Sequence, residues 1–304
     1  MTLNIAVTGA QGFIGQHFCA SLLSAGMGCV ELSRESLADG ELERRLHGCE
    51  VVVHLAARAH VLREYASSPA AEFYSANVTL TQRVARAAVA AGVGRLVFVS
   101  SAGVLGQVSP PGGFDDAHLP NPYDSYTRSK LEAEQSVLEA QSSGLETVIV
   151  RPPLVYGPGA RGNFDRLLAA VLAGWPLPVG GIHARRSMIG VRNLSDFLLR
   201  TSVCPEAVGQ TLLVADNEPV TVGEFVRAIA VAAHRSTRVI SVPNPLLRLA
   251  LAAIGKGADV ARLTQPFEIR AVQARTRLGW VPPHSMHDEL AWTLRVAVRS
   301  PWSA

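Results

Sequence analysis

A tyrosine and a lysine stand four residues apart in the segment Tyr126-Thr-Arg-Ser-Lys130. Residues 124–141 contain neither proline nor glycine, so they are predicted to form a helix with Tyr126 and Lys130 on one face. A lysine ammonium held there favours the phenolate and lowers the pKa of the tyrosine. The pair therefore predicts a phenol that gives or takes a proton during a reaction.

A serine hydroxyl is predicted to lie beside this pair. Residues 96–101 read Leu-Val-Phe-Val-Ser-Ser, an apolar, β-branched run that indicates a central strand ending at Ser101. In an open parallel sheet, ligands bind at the carboxyl ends of the strands. A hydroxyl at that end is suited to hydrogen-bond a substrate oxygen on which negative charge develops.

The amino-terminal stretch Thr8-Gly-Ala-Gln-Gly-Phe-Ile-Gly15 predicts a dinucleotide site. It joins an apolar strand to residues 13–25, whose apolar side chains recur at helical spacing. Gly9 is suited to the tight turn, Gly12 to close approach of the phosphates, and Gly15 to close packing of helix on strand. Free amides at the helix start would bind the pyrophosphate. The alternative is a glycine-rich turn without a ligand, since this pattern alone has low specificity.

The end of the next predicted strand, residues 28–32, is where such a fold selects its dinucleotide. An acidic residue there would bind the adenosine ribose and repel a 2′-phosphate, but this chain has Ser33-Arg34. A hydroxyl and a guanidinium are suited to bind phosphate, which favours NADP(H) over NAD(H). In the alternative interpretation Arg34 is a solvated loop arginine, Glu31 binds the ribose, and the cofactor is NAD(H).

These stretches, in this order and spacing, resemble the short-chain dehydrogenase/reductase superfamily. The resemblance is to its extended branch, the NAD-dependent epimerase/dehydratase type, which contains nucleotide-sugar epimerases, dehydratases and reductases. It covers nearly the whole chain. The further motifs that carry it are His54-Leu-Ala-Ala57, Asn77 before the predicted helix 78–91, Ser101-Ala-Gly-Val-Leu-Gly106, Arg151-Pro-Pro-Leu-Val-Tyr-Gly-Pro158 and Leu278-Gly-Trp280.

The resemblance implies a doubly wound parallel sheet of the Rossmann α/β class with a smaller C-terminal α/β substrate domain. Residues 1–154 would form the dinucleotide-binding domain, joined by residues 186–215, and residues 155–304 the substrate-binding cap. Between the second strand and Val51 there is room for one short helix. The sheet is therefore expected to be one strand shorter than in many relatives.

The resemblance also implies a set of site residues. Ser101, Tyr126 and Lys130 would be catalytic. The residues expected to bind the dinucleotide are Gly9, Gln11, Gly12, Phe13, Ile14, Gly15, Ser33, Arg34, Leu55, Ala56, Ala57, Asn77, Tyr126 and Lys130. Those expected to bind substrate are Ser101, Tyr126, Asn163, Arg186 and Arg262. In the alternative interpretation Asn163 is a loop asparagine, and Arg186 and Arg262 are surface arginines without a ligand. His54 is predicted to be a packed core histidine, because a lone histidine on an apolar strand is usually buried.

A nicotinamide, a tyrosine acid/base and a serine hydroxyl together move hydride to or from a carbon that bears oxygen. Dehydratases of this branch carry an Asp-Glu pair after the serine, whereas this chain has Ala102-Gly103, which disfavours dehydration. The resemblance favours an NADP(H)-dependent reductase of a 4-keto nucleotide sugar, such as a UDP-2-acetamido-2,6-dideoxy-4-ketohexose, in surface polysaccharide biosynthesis. The alternatives are an NAD-dependent UDP-glucose or UDP-N-acetylglucosamine 4-epimerase and a non-catalytic NADP(H)-sensing protein.

Composition and charge disfavour a nucleic-acid-binding protein, a membrane protein and a metalloprotein. The net charge of the 304 residues is only +3 and the arginines are scattered, which disfavours a nucleic-acid partner. The apolar stretch 246–254 contains Arg248 and is far shorter than the about 20 residues that span a bilayer. With no export signal expected, the protein is predicted to be cytoplasmic.

The four cysteines lack metal-ligand spacing and are expected to be reduced thiols, with no metal site. The resemblance further implies a homodimer through helices 76–91 and 124–141.

Overall fold

The computed structural model describes residues 3–33, 35–37, 40–59, 69–243, 245–247 and 263–299. Its strands are β1 (Asn4–Thr8), β2 (Gly28–Leu32), β3 (Val51–His54), β4 (Arg95–Val99), β5 (Glu146–Arg151), β6 (Leu154–Tyr156), β7 (Arg185–Arg186), β8 (Met188–Gly190), β9 (Thr211–Leu213) and β10 (Val220–Thr221). Six of them form a parallel sheet in the order β2-β1-β3-β4-β5-β9. The fold is therefore the predicted Rossmann-type α/β sheet.

The chain leaves β1 toward β2 on one side and returns to β3 on the other. The carboxyl ends of β1 and β3, where Thr8 lies opposite His54, are thus the point at which the strand order reverses. Ligands of open α/β sheets bind in the crevice at such a point. Between β2 and β3, the described residues form only the 3-10 turn Glu35–Leu37 and a short helix, Glu41–Leu46. This confirms the predicted absence of a further strand in that part of the structure.

Helices cover both faces of the sheet. They are α1 (Phe13–Ser24), α2 (Glu41–Leu46), α3 (Pro69–Phe73), α4 (Leu80–Ala90), α5 (Ser125–Ala140), α6 (Asn163–Leu172), α7 (Val191–Val203), α8 (Val222–Ala232), α9 (Val272–Thr276) and α10 (Met286–Arg299). Alternate residues of β3 enter different cores: Val51 and Val53 pack with α1 and α7, and Val52 packs with α2, α4 and α5. Since both faces are apolar, the strands are continuous hydrophobic runs.

A π-helical turn, Tyr74–Thr79, joins α3 to α4. The prediction that Asn77 opens a helix is therefore wrong, because helical backbone already begins at Pro69. Proline is favoured at the first position of a helix, where its missing N–H costs no hydrogen bond. The wide turn leaves Asn77 buried, with its side chain bonded to the backbone of Arg58 and to Ser129.

A second, smaller core lies beside the main sheet. It contains Tyr156, Phe164 and Phe225, whose rings contact one another, and it is closed by α6, α8 and α10. The C-terminal part of the described chain contains the helices α8, α9 and α10. Of the apolar stretch 246–254, only residues 246 and 247 are among the described residues. The division at residue 154 stays a prediction, although α7 and β9 pack on the main sheet.

A fully buried carboxyl group, Glu289 of α10, lies where this second core meets α7. Its Oε1 accepts a hydrogen bond from Arg192 at 3.1 Å. Its Oε2 has no hydrogen-bond partner among the described residues. Burial raises the pKa of Glu289 to about 7, and the Arg192 guanidinium opposes that rise. The carboxyl is therefore protonated in the native protein over part of the range in which it would be ionised in the unfolded chain.

Replacing Glu289 with glutamine should make the protein more stable above neutral pH. Between the ordinary pKa of 4.5 and about 7 the native state binds more protons than the unfolded state, so the stability contributed by Glu289 falls as pH rises. We expect Glu289→Gln to match the wild type near pH 5 and to exceed its free energy of unfolding by up to about 3 kcal/mol near pH 8. Urea unfolding at both pH values measures this difference. Glu43→Gln, on the exposed side of α2, is the control. An equal difference at both pH values would assign the effect to another group.

In the part of the chain that the structure describes, no helix is long and apolar enough to cross a membrane. No group of histidine, cysteine, aspartate or glutamate side chains among those residues could hold a metal ion. Cys19, Cys29, Cys49 and Cys204 form no disulfide among the described residues.

Candidate active site

The turn between β1 and α1 depends on two glycines. Gly9 has a left-handed backbone, with φ of 69°, and a Cβ there would lie 2.8 Å from the amide nitrogen of Ala56. Gly15 lies in the first turn of α1, where a Cβ would lie 2.1 Å from the carbonyl oxygen of Gly9. Both contacts are too short for a side chain. The close packing predicted for Gly15 is therefore against the turn itself, Gly9 and Ala10, rather than against the strand.

The amino terminus of α1 is open to an anion. Gly12 is the N-cap residue, it is exposed together with Gln11, and no described side chain caps the helix. The first amides of a helix have no partners within the helix and carry partial positive charge. Phe13 and Ile14, which follow, are half-buried. A backbone cradle of this kind fits the pyrophosphate of a dinucleotide.

The residues after β3 form the other wall of this crevice. The Thr8 hydroxyl accepts hydrogen bonds from the amides of Leu55 and Ala56, both at 3.2 Å. This brings the backbone of Ala56 against Gly9, as the contact at Gly9 shows. Ala57, the next residue, is exposed. The structure thus brings the predicted cofactor residues of the first turn and of the β3 end together at the strand-order reversal.

For three residues, Ser33, Arg34 and Asn77, contact with the cofactor stays a prediction. Ser33 is half-buried at the end of β2, and its hydroxyl accepts a hydrogen bond from the Ser36 amide at 3.3 Å. Arg34 lies outside the described residues. The preference for NADP(H), which depends on that pair, stays a prediction. Asn77 is buried rather than at the surface of the crevice, so its contact with a cofactor also stays a prediction.

The helix α5 begins where it can present Tyr126 to the end of β4. Asp124 is its N-cap, and a carboxylate oxygen of Asp124 accepts a hydrogen bond from the Thr127 amide at 2.8 Å. This capping places Tyr126 in the first turn. The Ser101 hydroxyl lies close enough to the Tyr126 phenol to lower its pKa, and it accepts a hydrogen bond from the Gly103 amide at 3.1 Å. The structure therefore brings together the two oxygens that the sequence predicts to act on a substrate.

Lys130 lies one turn further along α5 and is buried. Its ammonium donates a hydrogen bond to the Val99 carbonyl at 2.7 Å and lies 4.1 Å from the centre of the Phe98 ring. Burial lowers the pKa of Lys130 to about 7, while the Glu134 carboxylate acts in the opposite direction. The Lys130 amino group is thus held at the carboxyl end of β4, and near neutral pH its charged and neutral forms are both populated.

The pKa of Tyr126 differs from the prediction. Burial raises it to about 12, and the nearby Ser101 hydroxyl only partly opposes that rise. The expected lowering by Lys130 is wrong for this structure, because the Lys130 ammonium is bonded to the Val99 carbonyl instead of the phenol. Tyr126 is accordingly a phenol, suited to donate a proton to a substrate oxygen.

A buried ion pair between Glu134 and Arg151, which the sequence did not predict, lies near Lys130, and its Glu134 carboxylate favours the charged form of the lysine. Arg151, at the end of β5, makes two hydrogen bonds to Glu134, at 2.9 and 2.6 Å. Both side chains are nearly inaccessible, at 9% and 3% exposure. Glu134 follows Lys130 by one helical turn, so its spacing could have indicated the contact. The pair with Arg151, by contrast, could be found only in the folded chain.

Of the other residues predicted to bind substrate, Asn163 and Arg186 belong to elements outside the six-stranded sheet. Asn163 is exposed at the first residue of α6. Arg186, in β7, lies over the Phe267 ring and donates a hydrogen bond to the Gln265 carbonyl at 2.9 Å. Burial lowers the pKa of Arg186, and the nearby Tyr123 opposes that effect. Arg262 lies outside the described residues.

Tyr123, which the sequence did not predict as a site residue, lies between Ser101 and Arg186. Its phenol oxygen lies 3.9 Å from the position of a Cβ on Gly103, beside Ser101, and it interacts electrostatically with Arg186. A lone tyrosine three residues before a candidate catalytic tyrosine has no distinctive spacing. Its place between Ser101 and Arg186 results from the turn that precedes α5.

Comparisons with known proteins agree with this geometry. The NAD dependent epimerase/dehydratase family model matches residues 5–211. A UDP-glucose 4-epimerase of Vibrio cholerae is 34% identical over 99% of this chain and 97% of its own length. A 2-alkyl-3-oxoalkanoate reductase of Stenotrophomonas maltophilia is 28% identical over 95% of this chain and 97% of its own. The structure of MoeE5 in complex with UDP-glucose and NAD has a TM-score of 0.79 and 26% identity, covering 97% of this chain and 99% of that one.

The parallel sheet, the glycine turn and the group formed by Ser101, Tyr126 and Lys130 define a short-chain dehydrogenase/reductase, an enzyme dependent on NAD(P). Within that superfamily, the chain belongs to the NAD-dependent epimerase/dehydratase family.

Proposed function

We propose that this enzyme uses NADPH to reduce the 4-keto group of a nucleotide sugar. The observation that carries the proposal is the proximity of the Ser101 hydroxyl to the Tyr126 phenol, next to Ala102 and Gly103, which carry no carboxylate. These two hydroxyls, with Lys130 one turn away, are suited to a carbon–oxygen centre that is reduced without loss of water.

In the proposed reaction, the Tyr126 phenol gives its proton to the 4-oxygen of the sugar. A bound dihydronicotinamide supplies the hydride. The Ser101 oxygen already accepts a hydrogen bond from the Gly103 amide, so the Ser101 proton is available for the oxygen that gains negative charge. Lys130, held by the Val99 carbonyl, contributes positive charge at the same strand end when it is protonated.

The two residues after Ser101 disfavour elimination. Ala102 is fully buried, and a Cβ on Gly103 would lie 3.1 Å from the Thr127 methyl group and 3.3 Å from the Ser101 oxygen. An acidic side chain at Gly103 would crowd both groups. Neither position can therefore supply the acid and base that removal of water requires.

We infer NADP(H) as the cofactor from Ser33-Arg34, and a second arginine at the same strand end adds support. Arg45, exposed on α2, donates a hydrogen bond to the Glu31 carbonyl at 3.4 Å. Arg45 thus adds a guanidinium group near the end of β2. Arginine binds phosphate oxygens in pairs, which suits a 2′-phosphate.

Cofactor choice is directly measurable. We expect the Kd for NADPH, from its fluorescence, to be at least about tenfold lower than that for NADH, and Arg34→Leu to remove most of this difference, since one ionic contact to phosphate is lost. Arg44→Leu is the matched control, because Arg44 is an exposed arginine paired with Glu41 on the same helix as Arg45. Tighter binding of NADH by the wild type would contradict the inference.

The proposed substrate is UDP-linked, such as a UDP-2-acetamido-2,6-dideoxy-4-ketohexose used in surface polysaccharide. Its diphosphate would be bound by Asn163, at the start of α6, and by Arg186 of β7. The proposed enzyme is a cytoplasmic homodimer that pairs through α4 and α5. NADPH oxidation upon addition of the 4-keto UDP-sugar tests the proposal, and size-exclusion chromatography tests the dimer.

A second candidate is a UDP-glucose 4-epimerase with tightly bound NAD. The identity to the Vibrio cholerae protein and the likeness to the MoeE5 complex with UDP-glucose and NAD favour it. Interconversion of UDP-glucose and UDP-galactose without net cofactor consumption would replace the reductase proposal with this one. A non-catalytic NADP(H) sensor would bind the dinucleotide and show neither reaction.

A further inference from the structure

We propose that His54 is a positioning residue that holds the cofactor-binding end of β3 and the helix carrying Tyr126 in a fixed relation. The inference rests on the proposed site, in which Tyr126 and Lys130 act beside a dinucleotide. It is carried by a continuous series of buried hydrogen bonds in which His54 is the central member.

One side of His54 is bonded to Thr8. The hydroxyl oxygen of Thr8 lies 2.6 Å from His54 Nδ1, and it already accepts hydrogen bonds from the backbone amides of Leu55 and Ala56. A hydroxyl has two acceptor positions and one proton. Because both acceptor positions are occupied, the Thr8 proton is donated to Nδ1. His54 Nδ1 is therefore unprotonated, and Thr8 holds the two amides that face the glycine turn.

The other side of His54 is bonded to Thr81 in α4. With Nδ1 unprotonated, the neutral ring carries its proton on Nε2, which donates to the Thr81 oxygen at 3.0 Å. The Thr81 hydroxyl donates in turn to the Asn77 carbonyl at 2.5 Å. His54, Thr81 and Thr8 are all fully buried. Water therefore does not compete for these bonds, and each depends on the one before it.

From Asn77 the series reaches α5. The side-chain nitrogen of Asn77 donates a hydrogen bond to the Ser129 hydroxyl at 2.9 Å, and the Ser129 hydroxyl donates one to the Tyr126 backbone carbonyl at 2.7 Å. The side-chain oxygen of Asn77 accepts a hydrogen bond from the Arg58 backbone amide at 2.7 Å. Every donor thus has its acceptor from the Leu55 and Ala56 amides to the backbone of Tyr126. The two walls of the site are joined by side chains as well as by the sheet.

The charge of His54 also matters to Lys130. Both groups lie against the Phe98 ring, His54 at 5.6 Å between ring centres and the Lys130 ammonium at 4.1 Å. Burial, with Lys130 acting in the same direction, lowers the pKa of His54 to about 3. A neutral imidazole can accept from Thr8 and donate to Thr81 without placing a second cation beside Lys130.

The test removes the acceptor of His54 without changing the shape of the core. Thr81→Val deprives Nε2 of its partner, and Thr81→Ser restores the hydroxyl. We expect Thr81→Val to lower kcat by about tenfold or more with KM within about twofold, because misplacing the Tyr126 helix affects the reaction more than substrate binding. Amide hydrogen exchange at Leu55 and Ala56 should become faster, and NADPH should bind more weakly. Thr81→Ser should recover most of each loss.

Thr293→Val is the matched control, since Thr293 is equally buried in α10 and its hydroxyl bonds the carbonyl four residues earlier, as Thr81 does. Unchanged exchange at Leu55 and Ala56 in Thr81→Val, or an equal loss of kcat in Thr293→Val, would overturn the proposal. Exchange and NADPH affinity need no sugar. If the wild type does not reduce the 4-keto sugar, these two measurements still decide the role of His54.

Discussion

Replacing Tyr126 with phenylalanine should lower kcat by about a thousandfold while KM changes by less than about threefold. The phenol is the proton donor that the proposed reduction requires, and its removal leaves the substrate oxygen with the Ser101 hydroxyl alone. The phenylalanine ring can keep the edge contact with Phe73, at 6.1 Å between ring centres. The variant should therefore fold and bind NADPH as the wild type does. Steady-state kinetics with the 4-keto sugar measure the loss of kcat, and a fluorescence titration measures the affinity for NADPH.

Tyr156→Phe is the control for loss of a buried tyrosine hydroxyl. Tyr156 is fully buried in the second core and donates a hydrogen bond to Asp216 at 2.8 Å. Its replacement should lower the free energy of unfolding by about 1 kcal/mol and leave kcat nearly unchanged. If Tyr126→Phe keeps more than about a tenth of kcat, Tyr126 is not the proton donor, since such donors contribute about a hundredfold or more.

Gly15→Ala should be the most damaging small substitution in the cofactor site. A single methyl group would lie 2.1 Å from the Gly9 carbonyl oxygen and 2.7 Å from the Ala10 Cα, and both are backbone atoms. The turn must move as a unit to admit it, which changes the cradle for the pyrophosphate. We expect a loss of about 3 kcal/mol or more in the free energy of unfolding and a Kd for NADPH raised by at least about tenfold.

Gly223→Ala makes the same chemical change in the first turn of α8, where the nearest atom, the Val179 carbonyl oxygen, would lie at an ordinary 3.5 Å. This control should be neutral or stabilising by up to about 1 kcal/mol, because alanine has the higher helix propensity. Urea unfolding and NADPH titration of both variants separate packing from propensity. Similar behaviour of the two variants would show that the turn tolerates a side chain.

The parts of the fold that the sequence predicted are those encoded in neighbouring residues. The strands of the sheet are apolar, β-branched runs, and the glycines of the first turn are spaced for one local geometry. The four-residue spacing of Tyr126 and Lys130 is likewise local, because one helical turn brings them to the same face. For the same reason the helix boundary at Asn77 was misplaced: a π turn has no residue pattern that separates it from an α-helix.

Tertiary structure decided what lies around those groups. Thr8 and His54 are separated by 46 residues, and Asn77 and Ser129 by 52, yet they form one hydrogen-bonded series. The protonation of Tyr126 was decided in the same way, since burial raises its pKa and Lys130 is bonded to the Val99 carbonyl instead of to the phenol. Spacing along the chain specifies which chemical groups share a helix or a turn. The acidity of each group and the position in which it is held depend on desolvation and on partners from other strands, which exist only after folding.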